Sequence, residues 1–257
     1  MLVTVLGSGT SFGVPSINCD CPVCTSDDPH DKRTRTSVWI QTENTSVIID
    51  TSTDFRAQAL REKIPSLDAL FFTHCHADHI HGIDDIRPFT FHKTIPVYGN
   101  EVTIKEFRNR FSYIFMDTQK GGGKPRISLN PISDKDTAER RTINIGDVEL
   151  LPVPIKHGKL DVLGYRINNF AYLTDCNLIP ESSYEKLDGV EYLVIDALRY
   201  QPHPTHFTIP EAIEASRRIG AGKTWLTHLC HDVGHEDLKQ ELPDGIAPAF
   251  DGLKIEI

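Results

Sequence analysis

Short apolar runs recur along the chain, many of them alternating polar and apolar residues, with a few stretches of helical spacing between them. The runs predict strands over Leu2 to Leu6, Ser37 to Gln41, Ser46 to Ile49, Ala69 to Thr73, Ile95 to Tyr98, Val148 to Val153, Leu163 to Ile167, Phe170 to Thr174, Tyr192 to Ile195, Lys223 to Thr227 and Leu253 to Ile257. Alternating strands suit two sheets packed face to face, each with a covered outer face. Helices are predicted over Phe55 to Glu62 and Ile209 to Ile219. In the second, Pro210 sits in the first turn, where a missing N–H costs nothing, and Gly220 follows as a stop. The stretch from Glu101 to Arg141 is the least regular. It holds the aromatics Phe107, Phe111, Tyr113 and Phe115 and then Gly121-Gly122-Gly123-Lys124-Pro125-Arg126. It reads as a surface excursion whose aromatics cap the sandwich, or as a flap whose Arg108, Arg110, Lys120, Lys124 and Arg126 meet a phosphate.

A chain of 257 residues without a composition break or long linker is expected to form one α/β domain over 1–257. No run approaches 18 apolar residues, which excludes a predicted membrane-spanning helix. A net charge of −9 disfavours a protein whose main task is clamping nucleic acid. Met1 to Leu6 is too short for a signal peptide's apolar region and reads as a first strand, so a cytoplasmic, reducing location is expected.

The chemistry is concentrated in His74-Cys75-His76-Ala77-Asp78-His79, which directly follows the apolar Ala69-Leu70-Phe71-Phe72. His74 and His76 alternate onto one face of an extended segment, whereas Asp78 and His79 lie in the turn beyond. Mixed imidazole and carboxylate ligands suit zinc, manganese or iron rather than calcium or magnesium. Three further residues end hydrophobic runs: His157, Asp175 and His228. Singly, each reads as a loop cap or a satisfied buried side chain; together they complete a set of seven ligands.

Cys19, Cys21 and Cys24 form C-x-C-x-x-C, a zinc pattern that lacks one ligand. His231, three residues after His228, can supply it, and Cys230 is less suited because it should face the opposite side. A disulfide is disfavoured in a reducing compartment. Gly7, Gly9 and Gly13 have the wrong spacing for a dinucleotide fingerprint, and no helix follows; they suggest a tight turn near the metal site.

The ligand order resembles that of the metallo-β-lactamase superfamily, and the resemblance covers essentially the whole chain. It implies an α/β fold, a four-layer αβ/βα metallo-β-lactamase sandwich of two mixed sheets flanked by helices. It also implies one metal on His74, His76 and His157, a second on Asp78, His79 and His228, and Asp175 between them, with a bridging hydroxide as nucleophile. No G-x-S-x-G elbow competes with water for that role. The cysteine loop near 18–25, followed by Arg33-Thr34-Arg35-Thr36-Ser37 and paired with T-H-x-x-H at Thr227 to His231, looks like the PhnP-type phosphodiesterases. These resemble tRNase Z in fold and brace the loop with a Cys3His zinc.

The expectation is therefore a dinuclear phosphodiesterase with two catalytic divalent metals, zinc or manganese, and one structural zinc. Its expected partner is a small phosphodiester, with neither nucleic acid nor membrane, and a homodimer is compatible with it. His206 and the ligand Asp78 are the expected catalytic residues. His206 reads as a helix-entry residue ahead of an N-cap at Thr208, or as the acid that protonates the leaving oxygen. PhnP-type enzymes and tRNase Z carry a histidine at the matching place, and His203 is the fallback. Asp50 and Asp196, each ending a run, are equally candidates for caps or for acceptors of a ligating imidazole's N–H. Two alternatives stand beside this reading: a tRNase Z-like RNA-processing nuclease and a non-catalytic accessory protein like PqqB.

Overall fold

The computed structural model describes residues 1–117 and 123–257. Two seven-stranded sheets account for its strands. The first comprises β1 (Leu2–Gly7), β2 (Ser37–Gln41), β3 (Ser46–Ile49), β4 (Ala69–Phe71), β5 (Ile95–Asn100), β6 (Ile127–Ile132) and β14 (Lys254–Glu256). The second comprises β7 (Ile143–Ile145), β8 (Val148–His157), β9 (Leu160–Ile167), β10 (Phe170–Leu173), β11 (Tyr192–Asp196), β12 (Lys223–Thr227) and β13 (Ile246–Pro248). Their orders are β14-β1-β2-β3-β4-β5-β6 and β13-β12-β11-β10-β9-β8-β7. Both are mixed: β3 to β6 and β10 to β13 run parallel, and the remaining pairs are antiparallel.

Alternation along the strands generates the layers. Val3, Val5, Val47, Ile49, Ala69 and Phe71 of the first sheet face Phe170, Tyr172 and Val194 of the second across one shared core. The intervening residues point outward. Ile48, Leu70 and Phe72 pack with Phe55 of α1 (Phe55–Glu62) and with Phe107. Ala171, Leu173, Leu193 and Ile195 pack with Ala212 and Ala215 of α7 (Ile209–Ile219). Three apolar seams between four layers make the αβ/βα sandwich that the sequence predicts. Thr208 caps α7 with Glu211 in a reciprocal capping box, and Gly220 ends it at φ 81°.

The strands absent from the sequence reading, β6, β7 and β13, are edge strands in the observed order. Two carry a proline, Pro131 and Pro248, and two have only three residues, so the periodicity that reveals a central strand is missing. The expectation that Glu101 to Arg141 is irregular is corrected. Asn100 caps α3 (Glu101–Arg110) by accepting from Thr103 N at 2.8 Å, α4 (Ser112–Phe115) follows, and β6 pairs in parallel with β5. Phe107 is fully buried, and Phe111, Tyr113 and Phe115 pack against the same outer core, which is the capping role. Lys120, Gly121 and Gly122 lie outside the described residues. Among the described residues, no helix is long and apolar enough to cross a membrane.

The glycines near the start are explained by close approach: a Cβ on Gly7 would lie 2.0 Å from the Arg35 carbonyl oxygen, and one on Gly9 2.7 Å from that of Arg33. The same region is tied to the C-terminus by Asp251, whose carboxylate accepts from Ser8 N, Ser8 Oγ and Thr34 N, each at 2.9 Å, and from Thr34 Oγ1. Asp251→Ala would strand two backbone donors and is expected to destabilise the fold by about 3 kcal/mol in urea unfolding, whereas a loss under about 1 kcal/mol would show that water replaces the carboxylate.

Candidate metal centre

The parallel halves of both sheets end at the same rim, and the chemistry sits there. Asp50 follows β3, Thr73 and His74 follow β4, Asp175 follows β10, Asp196 ends β11 and His228 follows β12. Ligand sites commonly form outside the carboxyl ends of parallel strands. Three of these residues turn sharply as their strands finish: Asp50, Asp175 and His228 have φ of 65°, 53° and 62°. That left-handed conformation costs most side chains energy and is best tolerated by Asn, Asp and His. His76 precedes α2 (Ala77–Ile80), which carries Asp78 and His79; the expected turn is a short helix.

All seven residues of the sequence pattern converge. His74, His76, His157 and Asp175 form one group, and Asp78, His79, Asp175 and His228 another, with the ligand atoms of each within 4.8 Å of one another. The two oxygens of Asp175 face different groups. Oδ2 lies 3.7 Å from His74 Nε2, while Oδ1 lies 3.3 Å from His79 Nε2 and 3.2 Å from His228 Nε2.

Surrounding groups fix the rings. Asp50 is fully buried, accepts from Thr73 N at 2.9 Å and lies 2.7 Å from His79 Nδ1. His157 Nδ1 pairs with the Thr205 carbonyl at 2.9 Å, and Thr73 Oγ1 lies 3.0 Å from His74 Nδ1. In each case the outer nitrogen is engaged, which leaves the other for the centre. Asp196 accepts from Asp175 N at 3.2 Å and from Phe207 N at 2.9 Å, and it lies 3.0 Å from His206 Nδ1. Both aspartates thus act as imidazole acceptors. Thr73 and the Thr205 carbonyl escaped the sequence reading; the first borders the cluster, and a backbone acceptor leaves no residue signature.

The electrostatics call for positive charge. Burial disfavours a charged His79, yet Asp175, Asp78 and Asp50 outweigh it and push its pKa well above the usual value. Burial likewise opposes the Asp175 carboxylate, but His228 and His79 hold its pKa well below the carboxylate range. His74 is pushed well down, mainly by burial, and so keeps a free lone pair. His79 Nε2 and His228 Nε2 are buried without hydrogen-bond partners. Buried orphan nitrogens, the neutral His74 imidazole and ionised carboxylates around one space fit divalent cations.

His206 flanks the ligands. Its ring stacks on His228 at 4.5 Å and meets His157 edge-on at 4.6 Å. Burial works against its charged form, but Asp196 more than compensates and its pKa rises to about 9. The fallback His203 lies 5.1 Å from His206, and its Nδ1 accepts from Thr205 N at 3.4 Å rather than facing a carboxylate.

The second cluster assembles as expected. Cys19, Cys21 and Cys24 place their sulfurs 3.2, 3.4 and 3.5 Å from His231 Nδ1. Such spacings arise when three thiolates and one imidazole surround an ion at about 2.0–2.3 Å. Cys21 accepts the Cys24 N–H, which draws its pKa down to about 6, whereas burial pushes the Cys24 thiol up to about 11. Cys230 stays outside, its sulfur accepting from Asp232 N at 3.4 Å. The fully buried Arg33 donates to the carbonyls of Cys230 and Val233 at 2.9 Å each and pairs with Asp31 at 3.0 Å. It thereby clamps the turn that carries His228 and His231.

The profile of the beta-lactamase superfamily domain matches residues 45–229. An octanoyltransferase of Porphyromonas gingivalis (strain ATCC BAA-308 / W83) is 39% identical over 257 residues, covering 99% of this chain and 51% of that protein. The chain thus spans about half the length of that curated relative. A crystal structure of a new diphosphatase from the PhnP family is 43% identical with a TM-score of 0.90, covering 99% of this chain and 96% of that one. Zinc-bound PqqB from Methylobacterium extorquens matches over 100% of both chains with a TM-score of 0.77, and at 18% identity it speaks to the fold alone.

Cys21→Ser should lose the zinc that survives mild chelation and lower the thermal midpoint, because a closed thiolate site couples metal binding to folding. Elemental analysis showing that zinc retained, with an unchanged midpoint, would remove the structural role from this cluster.

Proposed function

The chain belongs to the beta-lactamase superfamily, and on that footing we propose that it is a metal-dependent hydrolase that cleaves a small phosphodiester with water as nucleophile. The observation that carries this reading is His206, held by Asp196 at 3.0 Å and stacked on His228 at 4.5 Å, so that a proton donor stands beside the ligand clusters. Acyl transfer from a thioester has little use for such an acid, whereas an alkoxide leaving phosphorus has great need of one.

His74, His76, His157 and Asp175 would hold one zinc or manganese ion, and Asp78, His79, His228 and Asp175 a second. When bound, such a pair neutralises phosphoryl charge and lowers the pKa of water toward neutrality. The remaining work falls to the protein. Asp50, Thr73 and the Thr205 carbonyl keep the rings of His79, His74 and His157 in fixed tautomers and orientations. Asp196 engages His206 Nδ1, so the proton for the leaving oxygen comes from Nε2 as the P–O bond breaks. Arg110 Nη1, which donates to the Cys75 carbonyl at 2.7 Å, places a cation beside the His76 side of the centre. A cyclic diester would open to a monoester without losing a fragment. The kinship with a PhnP-family diphosphatase adds diphosphates to the substrates worth assaying.

The acidic charge and the built-in segment from Glu101 onward favour a small substrate over a gripped tRNA. The complete ligand set weighs against a PqqB-like accessory role. One observation favours acyl chemistry instead, the octanoyltransferase relative, yet this chain accounts for only half of that protein. Purified enzyme loaded with zinc or manganese should therefore hydrolyse bis-p-nitrophenyl phosphate and a nucleoside 2′,3′-cyclic phosphate much faster than an octanoyl thioester, and the reverse order would overturn the proposal.

His206→Ala should keep the metals and the fold but lose roughly 10² to 10⁴ in rate on a diester with an alkoxide leaving group. With p-nitrophenolate, which leaves without protonation, the same variant should lose far less. Equal losses on both substrates would mean that His206 positions the substrate and that the proton comes from elsewhere.

A further inference from the structure

Beside His206 lies space that the hydrolytic reading leaves unused. A cavity of about 180 Å³ is lined by His206 together with Phe12, Arg199, His203, Cys230 and Asp232. His206 is thus common to the metal-ligand cluster and the cavity. In an in-line displacement the leaving oxygen departs away from the attacking water and toward the acid that protonates it. Whatever that oxygen carries must then occupy the space bordering the acid.

The lining suits a flat ring. Phe12 is 74% exposed and contributes nothing to the core, yet it does not sit on a loose loop. Gly13 N donates to the Thr10 carbonyl at 2.8 Å and Arg35 Nε to the Ser11 carbonyl at 2.7 Å, which anchors the turn on both sides of Phe12. An exposed aromatic held in place at the mouth of a site is a stacking surface. Arg199 adds a hydrogen-bonding element, because its Nε is buried without a partner and Nη1 makes only a 3.4 Å contact with Asp232. A buried donor in that condition awaits an acceptor.

Size and charge narrow the occupant. The volume falls below the roughly 300 Å³ at which drug-sized pockets begin, so it takes one ring system rather than a whole nucleotide. Asp232 offsets the charge of Arg199, which argues against a second phosphate and for a neutral acceptor such as a ring carbonyl or ring nitrogen. Resting on the phosphodiesterase reading, we infer that this cavity is a leaving-group subsite that receives a nucleobase-like planar ring, stacked on Phe12 and hydrogen-bonded by Arg199.

Calorimetric titration of the metal-loaded enzyme with AMP and with ribose 5-phosphate tests this, since the two ligands share the phosphorylated sugar and differ in the base. The wild type should bind AMP about tenfold more tightly, the scale of one base–aromatic stack. In Phe12→Ala, a surface change that takes nothing from the core, and in Arg199→Gln, the ratio of the two affinities should fall toward one. Equal affinities in the wild type, or a ratio unchanged in both variants, would overturn the subsite. The underlying reading fails separately, if the wild type does not hydrolyse bis-p-nitrophenyl phosphate.

Discussion

Everything at the rim depends on one buried carboxylate, Asp175, which turns its two oxygens toward two sets of histidines at the seam between the sheets. It is fully desolvated by the strands around it, and a lone buried carboxylate would be severely unfavourable. Imidazoles surround it, but His79 Nε2 and His228 Nε2 make no hydrogen bonds, so the protein alone leaves the arrangement incomplete. Divalent cations would complete it. The need is local to the rim, since the seams elsewhere are filled by apolar side chains.

The sandwich explains how such a concentration of charge is reached without disrupting the fold. Parallel strands from both sheets deliver their last residues to one edge, and the turn after each strand redirects the next side chain inward. The left-handed backbone at Asp50, Asp175 and His228 belongs to that geometry. Two ties keep the sheets in register there: Tyr165 Oη donates to the Phe72 carbonyl at 2.8 Å, and Leu163 N to the Thr73 carbonyl at 3.0 Å. The cysteine cluster bears on the same edge. His231 and His228 share one turn, Arg33 grips its carbonyls, and the N-terminal loop is thereby bound to the place where a ligand and the wall of the adjoining cavity are set.

Much of this was legible in the sequence because the informative residues are chemically distinctive. His, Asp and Cys at strand ends and at C-x-C-x-x-C spacing announced both clusters; α1 and α7 match their predicted bounds, and in α7 apolar periodicity and cap residues agree. Three of the four edge strands were not legible, since β7 and β13 are too short to show a period and a proline interrupts β6. Nor was α3: few of its residues are apolar, and Phe107, which anchors it, reads equally well as a loop aromatic until the outer core is seen. Arg199 and Phe12 carry no motif at all. The relation of Phe12 to His206 exists only in three dimensions, across nearly two hundred residues of chain, and that of Arg199 depends on how the intervening loop folds.

The central claim is that Asp175 joins two cation sites while the thiolate site stands apart. Native mass spectrometry of the zinc-loaded protein tests it most directly by counting bound ions in the wild type and in Asp175→Ala. The expected result is a fall from about three ions to about one, the survivor resisting mild chelation. A folded Asp175→Ala protein that still holds as many ions as the wild type would contradict it.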